Sequence, residues 1–345
     1  MTDDRLSRRA LLGSGVAAGT FLLAGCSGGG STTPTGQSTF PGGAVGSGSP
    51  TTDDGNTNGE ELDTEHPSVV VGQRILRDSV GVLVEGAARY QQLGGRGAAP
   101  SGREYLVVVL SVKNLGDDDL EMEDLTDFRL TSGDVTRERL DLVSQTGSQF
   151  TDGLLVPGET IRGFVAFEVA AGSQGWSFHF DVDADETEVE RVTVDLAAEP
   201  QQPESVFRQS YRVPVNDVGE SASAADLTVT VTDVRTADSV GNASAGGDRE
   251  FVLPTVRVDN AKDRTAYLGL TGQTLLTGGR GTPQALDLGA QQQLEGSFPL
   301  NPNVPSGEHV EGEIPYVVDA GASPLYFAFD FTSNGAEQKS IWQLR

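Results

Sequence analysis

Three aspartates at alternating positions come nearest to the spacing of a metal site. Asp181, Asp183 and Asp185 stand where a calcium-binding loop places its first, third and fifth ligands. Such a loop also needs a glycine at its sixth position and a glutamate at its twelfth, but this chain has Glu186 and Val192 there. The chain carries 50 acidic residues, so a hydrated acidic face is the competing interpretation. Calcium is therefore the one cofactor that the sequence suggests, with a metal-free acidic surface as the alternative.

The histidines do not form a catalytic or metal-binding pattern. The chain has three, His66, His179 and His309, and no two of them have ligand spacing. A general base or metal ligand needs partners nearby, so positions on the surface or at a strand edge explain these histidines better. The sequence also lacks a nucleophile elbow, a phosphate-binding loop and a dinucleotide fingerprint. We therefore predict that the protein is not an enzyme.

One motif for covalent modification lies in the second half of the chain. Asn242 opens an Asn-Ala-Ser sequon for N-glycosylation, in a stretch rich in Gly, Ala and Ser. Such a stretch is typical of a surface loop. The sequence thus marks Asn242 as a candidate glycosylation site.

The first 26 residues determine where we expect the protein to be. Arg8 and Arg9 precede an apolar run that ends in Leu-Ala-Gly-Cys, whose last residue is Cys26. A charged start, a short apolar core and small residues before a cleavage point are typical of an export signal. The paired arginines resemble a twin-arginine signal, and the final four residues resemble a lipobox, whose cysteine is lipidated and becomes the new N-terminus. Residues 1–25 are therefore assigned to the signal.

A retained transmembrane helix is the alternative for this segment. The apolar run over 10–25 has 16 residues and includes four glycines. A membrane-spanning helix needs about 20 apolar residues, so the run fits a cleaved signal better. Cys26 is the only cysteine of the chain, which suits lipid attachment better than a structural role. We expect a protein held on the cell membrane by a lipid anchor and facing the extracellular side.

The net charge limits the partners that the protein can bind. It is −26 at pH 7, and only three of the 24 basic residues are lysines. This composition resembles that of proteins from salt-loving archaea, in which dense carboxylates keep the surface hydrated while salt screens their repulsion. Binding to phosphates needs basic patches, so the sequence predicts no nucleic-acid partner.

The mature chain divides into a tether and two domains. Residues 26–67 are rich in Gly, Ser, Thr, Pro and Asp and have too few large apolar residues to fold, which predicts a disordered tether. The remainder is predicted to form a first β-sandwich over 68–198, a linker over 199–209 and a second β-sandwich over 210–345. Without further cysteines, both domains must rest on hydrophobic cores.

Two domains are predicted because the chain repeats itself. Residues 103–114 match 249–260 at an offset of 146. The turn at 156–159 matches 304–308 with one inserted residue, Ser306, and beyond it the offset is 149. A match this long is not expected by chance, so two copies of one domain follow each other.

Each copy has the pattern of β-strands. Large apolar residues alternate with small or polar ones over 176–182 and again over 325–331, and 105–112 is apolar on both faces, as in a central strand. Trp176 opens the first of these runs in register with its phenylalanines, so we expect it in the core rather than as an exposed platform for sugars. Pro254 lies in the second copy's central strand and predicts a bulge or an edge there. The fold class is therefore all-β, with two tandem immunoglobulin-like β-sandwiches.

The motifs of the first copy resemble those of a known family. They are Val-Lys-Asn at 112–114, an acidic loop, Phe-Arg-Leu at 128–130, and Val-Pro-Gly-Glu-Thr at 156–160 followed by Gly163. This order resembles the telokin-like, immunoglobulin-like domains of unknown function in bacterial and archaeal lipoproteins. The resemblance is weaker in the second copy, and it implies a β-sandwich outside the cytoplasm without defined catalytic residues.

The sequence predicts a binding role. We expect a non-catalytic binding or protein-interaction module with an extracytoplasmic protein partner. The partner would contact a sheet edge or the long loops predicted at 86–103 and 134–152. The alternative is a carrier of a cation or small solute that serves a membrane partner.

Overall fold

A computed structural model describes residues 68–94, 96–122, 128–140, 153–185, 188–202 and 205–345. All of them belong to one compact unit, which spans Asp54–Arg345. The predicted signal with Arg8 and Arg9, the lipidation site Cys26, the tether and His66 lie outside the described residues. No helix in the described ranges is long and apolar enough to cross a membrane.

The first sandwich consists of two sheets that pack face to face. Its strands are β1 (Ser68–Val70), β2 (Arg74–Leu76), β3 (Val80–Tyr90), β4 (Gln92–Leu93), β5 (Gly97–Ala98), β6 (Arg103–Asn114), β7 (Leu120–Glu121), β8 (Arg129–Ser132), β9 (Val135–Glu138), β10 (Leu154–Leu155), β11 (Thr160–Ala170), β12 (Ser177–Asp185) and β13 (Glu188–Asp195). One sheet has the order β1-β13-β12-β8-β9 and the other β11-β6-β3-β2. Two short ribbons, β10-β7 and β4-β5, complete it.

The second sandwich repeats this arrangement. Its elements are β14 (Val215–Asp217), β15 (Ser221–Ala224), β16 (Leu227–Ala237), β17 (Ser239–Val240), β18 (Ala243–Ser244), β19 (Arg249–Asn260), β20 (Ala266–Tyr267), α1 (Leu270–Gln273), β21 (Thr274–Gly278), β22 (Ala285–Leu286), α2 (Leu288–Gln293), β23 (Asn303–Val304), β24 (His309–Glu313), β25 (Tyr316–Asp319), β26 (Leu325–Asp330) and β27 (Lys339–Gln343), with a 3₁₀ turn at Thr332–Asn334. One sheet is β14-β27-β26-β21, and the other is β15-β16-β19-β25-β22, in which β24 also pairs with β19.

Alternation along the strands puts one face of each sheet into a core. In the first sandwich the rings of Phe128, Phe167 and Phe180 surround Phe178, at centroid distances of 5.6, 6.0 and 5.8 Å. Trp176 is 4% exposed and belongs to the same core, as its register predicts. The second sandwich has a separate core of its own. The predicted all-β fold with two tandem sandwiches is thus confirmed.

The internal duplication extends to individual hydrogen bonds. Asn114 ends β6 and Asn260 ends β19, and both side chains are buried. The amide of Asn114 donates to the carbonyl of Leu155 (2.8 Å), and the amide of Asn260 donates to the carbonyl of Val304 (2.9 Å). Leu155 is therefore the counterpart of Val304.

The insertion predicted at Ser306 is wrong. The backbone N–H of Gly158 donates to the carbonyl of the first asparagine (3.0 Å), and that of Gly307 donates to the carbonyl of the second (2.8 Å). Residues 155–159 thus correspond to 304–308 without a gap. Both glycines have positive φ, +81° and +75°, a conformation that favours glycine. The geometry of the turn, and not the shared Val-Pro pair, determines the alignment.

Pro254 lies inside a central strand and not at an edge, and the bulge that the sequence predicts here belongs to the partner strand β16, between Val231 and Asp233. β19 runs unbroken through Pro254, which is opposite Val234 of β16. On the other side, β19 pairs with β25 up to Val252 and with β24 from Thr255 onward. Pro254 falls at the break between these two strands, where its carbonyl accepts from the N–H of Ile314 (3.0 Å). At this break neither β25 nor β24 pairs with Pro254, so the backbone N–H that proline lacks is not required.

The two predicted long loops are partly strands. β3 continues to Tyr90, because its small residues from Gly86 onward pair with the apolar strand β6, which overrides their low strand propensity. The rest of 86–103 includes the β4-β5 ribbon. In the second predicted loop, residues 135–138 form β9, and 141–152 lie outside the described residues.

The two sandwiches meet at an extended contact, which we call the junction. It is formed by residues 154–162 and 208–215 and by the outer face of the sheet β14-β27-β26-β21. At its centre the Nζ of Lys339 lies 2.6 Å from the Oε1 of Glu159, and their side chains are only 7% and 1% exposed. Lys339 also donates to the carbonyl of Leu154 (3.0 Å). An ion pair this buried orients one sandwich on the other.

One sheet face differs in character between the copies. In the second sandwich, Ala328 and Ile341 are neighbours on β26 and β27 and are buried in the junction. The equivalent neighbours on β12 and β13 of the first sandwich are His179 and Thr193. The first sandwich therefore presents a polar face where the second has an apolar face covered by its neighbour.

Candidate functional site

A cleft of about 500 Å³ opens at one edge of the first sandwich. β2 pairs with β3 only over Gly81–Leu83, so no strand in the described ranges covers that edge of β3 from Glu85 to Tyr90. We call the opening the edge cleft. Its walls are Ala87, Ala88, Arg89, Leu106, Gln174, Gly175, Trp176, Leu196 and Ala197.

Small and apolar side chains give the edge cleft its room. Three alanines line it, Ala87 and Ala88 of β3 and Ala197 after β13. Trp176 and Leu106, each 4% exposed, connect the cleft to the core of the sandwich. The indole N–H of Trp176 donates to the Oγ of Ser173 (3.0 Å), which holds the ring in place. A site of this size, lined by apolar side chains together with Arg89 and Gln174, fits a small ligand that has an apolar and a polar part.

An arginine–carboxylate pair supplies the charged groups of the edge cleft. The guanidinium of Arg89 donates to Glu104 and to the carbonyl of Ser173. Glu104 is buried and also accepts from the backbone N–H of Gly172 (3.0 Å). Both donors reach the Oε1 of Glu104, and the guanidinium compensates its buried charge.

The second sandwich builds the same pair from a different strand. Glu250 is the counterpart of Glu104 and accepts from the N–H of Gly321 (2.8 Å) and from Arg345 (2.7 Å). Arg345 also donates to the carbonyl of Ala322 (2.8 Å), which corresponds to Ser173. The Gly321 N–H and the Arg345 guanidinium together lower the pKa of Glu250.

The origin of the arginine decides whether the cleft is open. Leu196 donates to the carbonyl of Trp176 (3.0 Å), and Leu344 donates to that of Leu325 (2.9 Å), so these residues correspond. The next residue is Ala197 in the first sandwich and arginine in the second. The side chain of that arginine crosses from the alanine position to the carboxylate. The second sandwich therefore fills the space that the first leaves open.

The backbone of the predicted calcium site is an extended strand and not the loop that the prediction requires. Asp181, Asp183 and Asp185 lie on strand β12 and not in a loop. Asp181 is paired with Arg191, whose Nε and Nη2 lie 2.8 and 3.0 Å from its two carboxylate oxygens. The side chains of the other two aspartates lie outside the described residues. Among the residues that are described, no group of three or more His, Cys, Asp or Glu is placed to hold a metal.

The described histidines lie apart from the edge cleft. His179 is on β12, with its Nε2 2.7 Å from the Oγ1 of Thr131 and its Nδ1 3.0 Å from the Oγ1 of Thr193. Burial, followed by the charge of Arg191, lowers the pKa of His179. His309 is exposed at the start of β24. His309 is thus on the surface, as the sequence predicts, whereas His179 is half-buried on a strand that is paired on both sides.

The candidate glycosylation site is accessible. Asn242 lies in the turn between β17 and β18 and is exposed. Its backbone N–H donates to the Oε1 of Gln293 (2.6 Å), which fixes the turn and leaves the side chain outside. Its modification stays a prediction.

Sequence reasoning missed the residues of the edge cleft. Arg89 and Glu104 stand 15 positions apart, and no motif connects them. The duplication could have revealed the cleft, because alignment of the last strands of both copies places Ala197 opposite Arg345. A small residue facing a long charged one at equivalent positions indicates room in one copy.

Comparison with known proteins places the chain in a family. Residues 71–189 and 216–339 match a family described as a domain of unknown function, DUF4352. The chain belongs to this family. One DUF4352 match falls in each sandwich, which agrees with the internal duplication.

Three solved structures resemble part of this DUF4352 protein. The yjhA protein from Bacillus subtilis is 16% identical, with 37% of this chain and 99% of that chain covered and a TM-score of 0.30. An uncharacterized beta-sandwich protein from Clostridium difficile 630 is 14% identical, with 41% and 99% covered and a TM-score of 0.26. A "putative lipoprotein" (ycdA) from Bacillus subtilis is 12% identical, with 54% and 72% covered and a TM-score of 0.30. No curated protein matches the chain.

Proposed function

We propose that this DUF4352 protein is a lipid-anchored extracytoplasmic lipoprotein that acts as a non-catalytic binding module. The edge cleft carries the proposal, because its walls offer an apolar surface and an arginine but no nucleophile. The lipobox-like sequence that ends at Cys26 supports the anchor. A lipid anchor and a tether would hold the two sandwiches outside the membrane.

Substitution of the lipidated cysteine tests the anchor. Cys26→Ala removes the thiol that would carry the lipid, so the variant is expected in the medium while the wild type stays with the membrane. Cell fractionation in high salt measures both, with Ser27→Ala as the matched control. Equal membrane retention of wild type and Cys26→Ala would contradict the lipid anchor.

Capture in place tests the binding role. The tagged protein is cross-linked in its own membranes in high salt and purified, and the purified material is analysed for proteins and for small molecules. A single protein partner that is lost when Ala197→Met fills the edge cleft would support an interaction module. Recovery of the protein with no partner and no bound small molecule would contradict the binding role.

A small-solute carrier is the second candidate, and the size of the edge cleft favours it. Sites for small ligands typically measure about 300–1,000 Å³, a range that includes this cleft. Protein partners, in contrast, bury flat areas of about 800 Å² on each side. The cation-carrier alternative has less support, because Asp181 already pairs with Arg191.

A further inference from the structure

The second sandwich supplies the shape of the group that would fill the edge cleft. There the side chain of Arg345 runs from the position of Ala197 to the carboxylate of Glu250, and its stem is three methylenes without a branch. The first sandwich has the same end points, namely Ala197 and Glu104, and leaves the path between them open. An unbranched aliphatic chain therefore has the shape that this space accepts.

The charged side chain that lines the cleft is Arg89, a hydrogen-bond donor. Arg89 and the N–H of Gly172 both donate to the Oε1 of Glu104, so a cationic head group placed like the guanidinium of Arg345 would have to displace Arg89. Arg89 carries five N–H groups, and its contacts to Glu104 and Ser173 use two of them. A carboxylate is the group that a guanidinium fork binds best. The head group that fits here is anionic.

We infer that the edge cleft binds a short unbranched aliphatic carboxylate, with its chain along Ala87, Ala88, Ala197 and Trp176 and its head group at Arg89. The inference rests on the proposed binding function and names the ligand of its small-solute form. Removal of the methylenes from water would supply most of the affinity. Because concentrated salt weakens the attraction to Arg89 without abolishing it, the carboxylate would contribute the smaller share of the affinity.

Tryptophan emission of the intact protein tests the inference. The chain has two tryptophans: Trp176 lies on the cleft wall, and Trp342 lies in the core of the other sandwich. Titration with butanoate, hexanoate and octanoate in concentrated KCl should shift the emission of Trp176. The dissociation constant should fall about fourfold for each added methylene until the cleft is full. Hexanamide should bind more weakly than hexanoate.

A pair of variants assigns the response to the cleft. Ala197→Met places an unbranched stem in the cleft, as in the second sandwich, and should weaken hexanoate binding at least tenfold. Ala198→Met adds the same stem at the next residue, which does not line the cleft, and should bind like the wild type. Both positions are at least partly exposed, so the fold should tolerate either change.

Three results would overturn the inference: no shift with any acid, equal affinity for hexanoate and hexanamide, or equal affinity of the two variants. No shift in a protein that still captures a partner from its membranes would reject the carboxylate ligand and leave the binding role in place. No shift together with no captured partner or small molecule would reject both.

Discussion

At the scale of single residues, a glutamate paired with an arginine recurs in both sandwiches. Glu104 and Glu250 each accept from a backbone N–H at the same turn and from a guanidinium. The guanidinium comes from Arg89 in one copy and from Arg345 in the other. The pair is thus kept although its arginine comes from a different strand position, and in the second sandwich the side chain of Arg345 follows the path that the first sandwich leaves open.

Arg345→Ala should raise the pKa of Glu250. The Gly321 N–H and Arg345 lower this pKa in the folded protein, so the pair stabilises the fold above the unfolded value of about 4.3. That contribution is lost as pH falls through the folded pKa, and the variant should lose less stability on acidification. Carboxyl NMR titration measures the shift. Arg235→Ala, which removes a partner of Glu313 instead, is the control. An unchanged titration of Glu250 would reject the pairing.

At the scale of elements, the turn before β11 and its counterpart before β24 have the same backbone but different surroundings. A Cβ on Gly158 would lie 2.0 Å from the carbonyl oxygen of Ser210 in the junction, whereas a Cβ on Gly307 would meet nothing within 4 Å. Both glycines have positive φ. Substitution of the two glycines therefore distinguishes the cost of backbone strain, which both positions share, from the cost of a steric clash, which only Gly158 adds.

Gly158→Ala and Gly307→Ala form a matched pair of tests. Each variant forces alanine into a left-handed conformation, which costs about 1–2 kcal/mol. Gly158→Ala also pushes the turn away from residue 210 and should cost at least about 3 kcal/mol in total. Urea unfolding in high salt gives the free energy of unfolding of each variant. Equal losses would show that the junction does not depend on this approach.

Much of the element structure was accessible from the sequence. Strict alternation predicted β12 and β26, and the double-faced apolar run predicted β6. The short helix α2 was not predicted, although Asp287 caps it by accepting from the N–H of Ala290 (2.9 Å). Six residues are too few to show helical periodicity, so the capping aspartate is the one feature of the sequence that indicates this helix. The gap at Ser306 was wrong because residue identity, unlike backbone geometry, favoured the Val-Pro match.

At the scale of the whole molecule, the buried pair of Glu159 and Lys339 connects the sandwiches. The counterpart of Lys339 in the first sandwich is Arg191, which pairs with Asp181 of its own sheet. The contact between sandwiches could not be predicted, because it depends on a lysine 180 residues away from its glutamate. Alternation put Ala328 on the face opposite the phenylalanines of its strand, but nothing in the sequence identified what covers that face.

Lys339→Met should destabilise the protein strongly. Removing the lysine leaves a buried, uncompensated carboxylate at Glu159, which costs about 3–5 kcal/mol. The double variant Glu159→Gln with Lys339→Met removes both charges and keeps an acceptor for the N–H of Val156, so it should regain most of that loss. Thermal unfolding in high salt measures the three proteins. A single variant as stable as the wild type would contradict a buried pair at the junction.

The edge cleft was the part of the candidate site that sequence reasoning could not reach. Its charged residues, Arg89 and Glu104, carry no motif, and its space depends on the absence of a side chain at Ala197. Comparison of Ala197 with its counterpart Arg345 indicates the open space. The cleft distinguishes the first sandwich from the second, and we therefore place the binding role there.

Native mass spectrometry of the protein purified from its own membranes tests the central claim most directly. The wild type and the control Ala198→Met should carry a bound small molecule, and Ala197→Met, with its cleft filled, should not. The bare protein mass in all three, or a bound molecule that persists in Ala197→Met, would contradict a binding role for the edge cleft.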